Sequence, residues 1–221
     1  MLIDMQTEHF VTKDGLTIAG DYYEGSNTSG VLLLHMMPAD RKSWQQFAAK
    51  LQGIGFHALA IDLRGHGESS GGPTGYQQFS DAQHQQSLLD IESAMEFFRT
   101  KMIGKIHIGG ASIGANLALW YAAEHGEIAS VMLLSPGLDY HGIHTDIWIE
   151  NLKPEQAVLL AASDDDIYSF TSVKTLFDRS TDLPKREVKL LSEAGHGTNM
   201  FQKNSGFIDE LAAWLKKVDS Q

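Results

Sequence analysis

The sequence predicts an α/β fold: a mostly parallel, eight-stranded sheet with an antiparallel N-terminal edge, helices on both faces and no substantial cap domain. Three observations predict it. Short, continuous apolar runs alternate with amphipathic helical patterns, as expected when parallel strands are buried on both faces. Asp14-Gly15, between two strand-like runs near the start, is a strong short-range hairpin signal. Lys105-Ile106-His107-Ile108-Gly109-Gly110-Ala111-Ser112-Ile113-Gly114-Ala115-Asn116 reads as a buried strand, a sharp turn carrying one serine, and the start of a helix.

Taken in order, residues 8–13 and 16–24 form the hairpin. Val31-Leu32-Leu33-Leu34 is the next strand, apolar throughout and so buried on both faces. Residues 41–53 are helical because Trp44, Phe47, Ala48 and Leu51 share one face, and Gly53 and Gly55 supply the stop. Residues 56–61 are a strand and 70–75 a loose loop. Residues 80–100 are a long helix on Leu88, Ile91, Met95 and Phe98. After the serine turn and its helix, residues 128–135, 157–162 and 186–191 complete the strands. Residues 136–153 are irregular, 172–178 a short helix, and 207–218 a closing helix on Ile208, Leu211, Leu215 and Val218.

At 221 residues the chain is expected to form one domain, 1–221, with a large core. A net charge of −11 without basic stripes argues against nucleic acid and against anionic membrane surfaces. The chain has no cysteine, which removes disulfides, thiolate metal sites and a cysteine nucleophile. The first eight residues lack the basic and apolar regions of a secretory signal, and no apolar run is long enough to span a bilayer. A cytoplasmic, soluble protein is the resulting expectation. Nothing in the sequence sets an oligomeric state.

Gly110-Ala111-Ser112-Ile113-Gly114 fits G-x-S-x-G, a pattern that holds a serine on a strained strand-to-helix turn with its hydroxyl above the sheet. In parallel sheets functional groups gather beyond the carboxyl ends of the strands. Those ends carry His35, Asp62, Ser112, Ser135, Asp164–Asp166 and His196. A serine hydroxyl needs a base, and an imidazole base works best when a carboxylate fixes its tautomer. Ser112, an acid of the 164–166 run and His196 supply these in the order serine, acid, histidine. His196 lies between two glycines, whose flexible backbone can carry the imidazole to Ser112. The backbone N–H of Ile113, directly after the serine, is the first candidate donor to an oxyanion. No HExxH-like pair is present, so no metal is expected.

These features together resemble the α/β-hydrolase superfamily, in its small, lidless serine esterase branch. The resemblance rests on His35-Met36-Met37-Pro38, Asp62-Leu63-Arg64-Gly65-His66-Gly67-Glu68-Ser69, Gly110–Gly114, residues 162–168 and Gly195-His196-Gly197, and it covers nearly the whole chain. It implies an ester- or thioester-cleaving serine hydrolase with no cofactor and a small-molecule, ester-like substrate. A peptidase or amidase using the same residues, or a non-catalytic ligand- or partner-binding member, are the alternatives. The family's strand–Gly-x-x-Asp pattern, aligned with Ala162-Ser163-Asp164-Asp165, selects Asp165 as the acid, with Asp166 next. Its His-Gly turn makes His35 structural and Met37 the second oxyanion donor. Met36 stands where the family has glycine, and a positive φ there would strain a methionine. Asp62 is implied to shape a loop, His66 to be structural or at the rim, and His107 reads as a satisfied core histidine. About 20 residues separate the strands ending near Ser135 and beginning near Ala157, too few for a substantial helical cap. Tyr140, Trp148, Met36, Met37 and Met200 are candidates for an apolar pocket.

Overall fold

The computed structural model describes residues 5–221, so the first four residues of the N-terminal stretch considered above lie outside it. Strands β1 (Met5–Val11) and β2 (Thr17–Tyr23) form the hairpin, with Gly15 at φ +84° in its turn. Then follow β3 (Ser29–Leu34), α1 (Gln45–Gly53), β4 (His57–Ile61), α2 (Asp81–Gln85) and α3 (Leu88–Thr100). The centre of the chain is β5 (Lys105–Ala111), α4 (Ile113–Glu124) and β6 (Ile128–Leu134). A two-stranded hairpin, β7 (Asp139–Tyr140) with β8 (Ile143–His144), leads into the short α5 (Thr145–Trp148). The rest is β9 (Ala157–Ser163), α6 (Ile167–Arg179), β10 (Arg186–Leu191), α7 (Met200–Lys203) and α8 (Phe207–Asp219).

The main sheet has eight strands in the order β1-β2-β4-β3-β5-β6-β9-β10. The β1–β2 and β2–β4 pairs are antiparallel and every other pair is parallel. Each face buries its own core. On one, Ile91, Met95 and Phe98 of α3, the apolar length of α4, and Val173 and Leu176 of α6 pack on the sheet. On the other, Phe47 and Leu51 of α1 meet Phe207, Leu211 and Leu215 of α8. Strands β3 and β5 lie in the middle, so their carboxyl ends sit over the best-supported part of the sheet.

Three segments differ from the expectation. The helix expected over 80–100 is two pieces, because each is anchored on a different partner. Ser80 and Gln83 form a reciprocal capping box that starts α2, whose His84 stacks on His141 at 3.9 Å. Asp90 of α3 is instead fully buried against Arg64, accepting its backbone N–H at 2.8 Å. Helix α6 starts five residues earlier than the apolar pattern suggests, because Asp166 caps it by accepting the Ser169 N–H at 3.4 Å. Residues 136–153, expected to be irregular, contain a β-hairpin and a short helix, and Asn116 of α4 anchors the hairpin. Its amide donates to the carbonyls of Gly137 and Ile143 at 3.1 and 3.0 Å and accepts the Gly137 N–H at 3.1 Å.

Candidate active site

Ser112 connects β5 to α4 with φ +55° and ψ −122°, a strained conformation for a residue with a Cβ. The glycines around it are required by contact. A Cβ on Gly110 would stand 2.1 Å from the Gly114 carbonyl oxygen, and one on Gly114 would stand 2.5 Å from the Leu34 oxygen. The start of α4 therefore presses directly on the end of β3. The Ser112 N–H is held by the Leu134 carbonyl at 2.8 Å, which ties the turn to β6.

After β3 the chain turns through His35, Met36 and Met37. His35 is fully buried, and its Nε2 accepts the Leu63 N–H at 3.0 Å. Its Nδ1–H must then donate to the Met36 carbonyl, 2.9 Å away. Burial keeps the ring neutral by lowering its pKa to about 4. In a trans peptide the N–H points opposite to the C=O. By fixing the Met36 oxygen, His35 thus turns the Met37 N–H the other way. Among the described residues neither the Met37 nor the Ile113 N–H has a hydrogen-bond partner. Met36 does not adopt a positive φ. Its sulfur accepts the Thr198 hydroxyl at 3.8 Å, so the methionine braces the loop that carries His196.

His196 follows β10, and its Nδ1 lies 2.6 Å from Oδ2 of Asp166. Asp165, the residue expected in that place, does not reach the ring. Its Oδ1 accepts the Ser163 hydroxyl at 2.5 Å and the Gly195 N–H at 3.0 Å. Asp164 turns outward, taking the Ser192 hydroxyl at 2.7 Å and the Glu193 N–H at 2.9 Å. The reason is the tight turn after β9, closed by the Asp166 N–H to the Ser163 carbonyl at 3.0 Å. It aims successive carboxylates at successive positions of the facing loop. These hydrogen bonds hold the Asp164 and Asp165 carboxyls below the usual carboxylate range. The loops that carry His196 and Ser112 approach each other through neighbours: a Cβ on Gly197 would stand 3.3 Å from Cβ of Ala111.

A model of the alpha/beta hydrolase fold matches residues 31–157. The chain belongs to the α/β-hydrolase family. The matched segment holds the Ser112 turn and the Met37 loop but ends before Asp166 and His196. Among curated relatives, Lipase 1 of Psychrobacter immobilis is 29% identical over 160 residues, covering 69% of this α/β-hydrolase and 47% of the lipase. Lipase 3 of Moraxella sp. (strain TA144) is 30% identical over 162 residues, covering 69% and 48%. The chain thus spans about half the length of these lipases. A solved esterase from Pyrococcus furiosus superposes with a TM-score of 0.80 at 18% identity, covering 97% of this chain and 91% of the esterase, and so shares its fold.

Other polar groups of this α/β-hydrolase hold the loops. Asp62 is fully buried and accepts the backbone N–H groups of Arg41 at 2.7 Å and Glu68 at 2.8 Å, while its carboxylate pairs with the Arg41 guanidinium. His66 stacks on Tyr76 at 4.1 Å, with its Nδ1 3.0 Å from the Arg64 carbonyl. His107 sits between Ser130 at 2.7 Å and Asp219 at 3.2 Å inside the core. Of the pocket candidates, Met200 is fully buried in the core and Trp148 stacks on Trp120 at 5.3 Å. Tyr140 stays at the site, its hydroxyl 3.3 Å from Ser169 Oγ. Burial raises its pKa, against the hydrogen-bonding influence of Ser169 and Ser112. Sequence reasoning missed Asn116 and Ser163, whose only signal is a polar residue inside an apolar element. Among the described residues no group of three His, Asp or Glu is arranged to hold a metal ion, and no helix is long and apolar enough to cross a membrane.

Proposed function

We propose that this α/β-hydrolase is a serine hydrolase that cleaves a carboxylic ester or thioester of a small molecule through an acyl-enzyme. The observation that carries the reading is the 2.6 Å hydrogen bond between Asp166 and His196. It puts the proton on Nδ1 and leaves the Nε2 lone pair to act as base. Ser112 Oγ attacks the carbonyl carbon as His196 Nε2 takes its proton. The resulting oxyanion is stabilised by the Ile113 and Met37 N–H groups, whose lack of partners among the described residues supports that role. Collapse breaks the ester bond, and the leaving alcohol or thiol takes the proton from His196. Water then repeats the sequence on the acyl-enzyme, so no cofactor takes part. Asp166 orients the ring and stabilises the imidazolium.

The lipase and esterase names among its relatives support an ester rather than an amide. A cysteine-free chain suits the cytoplasm, where we place it. The test is intact-mass labelling by a fluorophosphonate on wild type and Ser112→Ala, with hydrolysis of p-nitrophenyl acetate and butyrate alongside. One adduct on wild type, none on the variant, and turnover lost with it are expected. A folded wild type that takes no adduct and turns over no ester would instead mark a binding member of the family.

A further inference from the structure

His196 lies between two peptides, each held from outside its own loop. On one side the Gly195 N–H donates to Asp165 Oδ1 at 3.0 Å. On the other the Gly197 N–H donates to Ser135 Oγ at 2.9 Å. One residue further back, the Ala194 N–H donates to Ser163 Oγ at 2.7 Å, and that hydroxyl passes its own hydrogen to Asp165. Ser135 and Ser163 are fully buried at the carboxyl ends of β6 and β9, which are neighbours in the sheet. The clamp is therefore built on the rigid part of the fold.

The loop needs such anchors. Gly195 and Gly197 have φ of +80° and +57°, in the region where glycine backbone is least restricted. Gly197 also packs closely on its neighbours, since a Cβ there would stand 2.6 Å from Met36 Sδ and 3.3 Å from Ala111 Cβ. Ala111 immediately precedes Ser112, so a shift at Gly197 changes the position of the imidazole relative to the serine.

We infer that Asp165 and Ser135 are positioning residues for the base, clamping the Ala194–Gly195 and His196–Gly197 peptides that bracket His196 so that its ring stays in register between Asp166 and Ser112. The inference rests on the reading of Ser112 and His196 given above. Asp165 acts here as a hydrogen-bond acceptor rather than as a charge. Its single oxygen Oδ1 collects both the Gly195 N–H and the Ser163 hydroxyl, and the Oδ1 of an asparagine can accept the same pair. Asp166, in contact with the imidazole itself, acts through its charge.

The experiment compares wild type, Asp165→Ala, Asp165→Asn and Ser135→Ala by p-nitrophenyl butyrate kinetics from about pH 5 to 9 and by the rate of fluorophosphonate labelling, with circular dichroism to verify folding. Asp165→Ala is expected to lower kcat roughly ten- to a hundredfold at unchanged KM, since small displacements of a catalytic group have effects of that order. Asp165→Asn is expected to recover most of that loss without moving the midpoint of the pH profile. Ser135→Ala, which breaks the other half of the clamp, is expected to lower kcat at unchanged KM independently. Wild-type kcat in both alanine variants overturns the inference. So does a loss as deep in Asp165→Asn as in Asp165→Ala, or a change in KM alone. In each of those cases wild type still labels at Ser112, and the proposed function stands. A folded wild type that does not label overturns both readings together.

Discussion

The imidazole of His196 and the carboxylate of Asp166 share one hydrogen bond, Nδ1 to Oδ2 at 2.6 Å, while Oδ1 of the same carboxylate caps α6 by accepting the Ser169 N–H at 3.4 Å. One side chain thus starts a helix and orients the ring. The pair is only partly exposed, which limits solvent screening of the interaction.

Replacing Asp166 by Asn keeps the size and the cap acceptor but removes the charge facing the ring. It also offers the ring an amide that can donate, which favours the wrong tautomer. The expected result is a fall in kcat of about 10³- to 10⁴-fold with KM little changed, by analogy with the corresponding change in a serine protease. Steady-state ester hydrolysis and the rate of fluorophosphonate labelling of Ser112 check it. Near wild-type turnover would show that the pair does not serve the base.

His35 orients the neighbouring Met37 amide from a fully buried position. Its ring bridges the Leu63 N–H and the Met36 carbonyl, at 3.0 and 2.9 Å. His35→Phe fills similar space but leaves both backbone groups buried and unpaired, at about 1–3 kcal/mol each. It also frees the Met36–Met37 peptide to rotate. The variant should unfold at lower denaturant and lose roughly ten- to a hundredfold in kcat, the second effect measured under conditions where it remains folded. Lost stability at wild-type kcat would separate Met37 from the oxyanion.

Legibility in the sequence followed the physical constraint. The Ser112 turn was readable because backbone contacts of 2.1 and 2.5 Å demand glycine at 110 and 114, and because an apolar strand and a helix former flank the pattern. The strands around it were readable because burial on both faces requires continuous apolar runs, but those runs carry no information on spatial order, which the structure supplies as β1-β2-β4-β3-β5-β6-β9-β10. Which aspartate faces His196 was not readable. Asp164, Asp165 and Asp166 are chemically identical, and only the turn after Ser163 decides which one faces His196. The start of α6 was hidden for a related reason: Ile167 and Tyr168 are exposed, so the apolar period begins after the helix does. Met200 read as a pocket residue because a methionine beside a loop histidine has no pattern that separates core from rim. Its complete burial places it in the core.

Gly114→Ala tests the contact between α4 and β3. A Cβ at that position would lie 2.5 Å from the Leu34 oxygen and 2.6 Å from the His35 oxygen, both backbone atoms that no rotamer change can move. The helix must shift from the strand, taking Ile113 with it. A loss of about 3 kcal/mol or more is expected in denaturant unfolding, larger than Gly→Ala elsewhere in a helix, where alanine normally stabilises. Gly53→Ala, where an added Cβ would meet no described atom within 4 Å outside its own helical turn, is the control and should change stability by only about 0.5 kcal/mol.

Acid should destabilise the fold before the exposed carboxylates titrate. Burial lowers the pKa of His35, His66 and His84 to about 4, from 6.5 in an unfolded chain, with the neighbouring His35 charge adding to the effect at His66 and the His141 charge at His84. Between pH 6.5 and 4 the unfolded chain therefore binds more protons at these sites than the folded one. Stability then rises with pH across that window: it is fully present above pH 6.5 and is lost as pH falls toward 4. At His35 the proton would also displace the Leu63 N–H from Nε2, so its uptake breaks a buried hydrogen bond. Melting followed by circular dichroism should show Tm falling by roughly 5 °C or more between about pH 6.5 and 4.5. A flat Tm across that interval would mean that these rings are not held neutral in the folded chain.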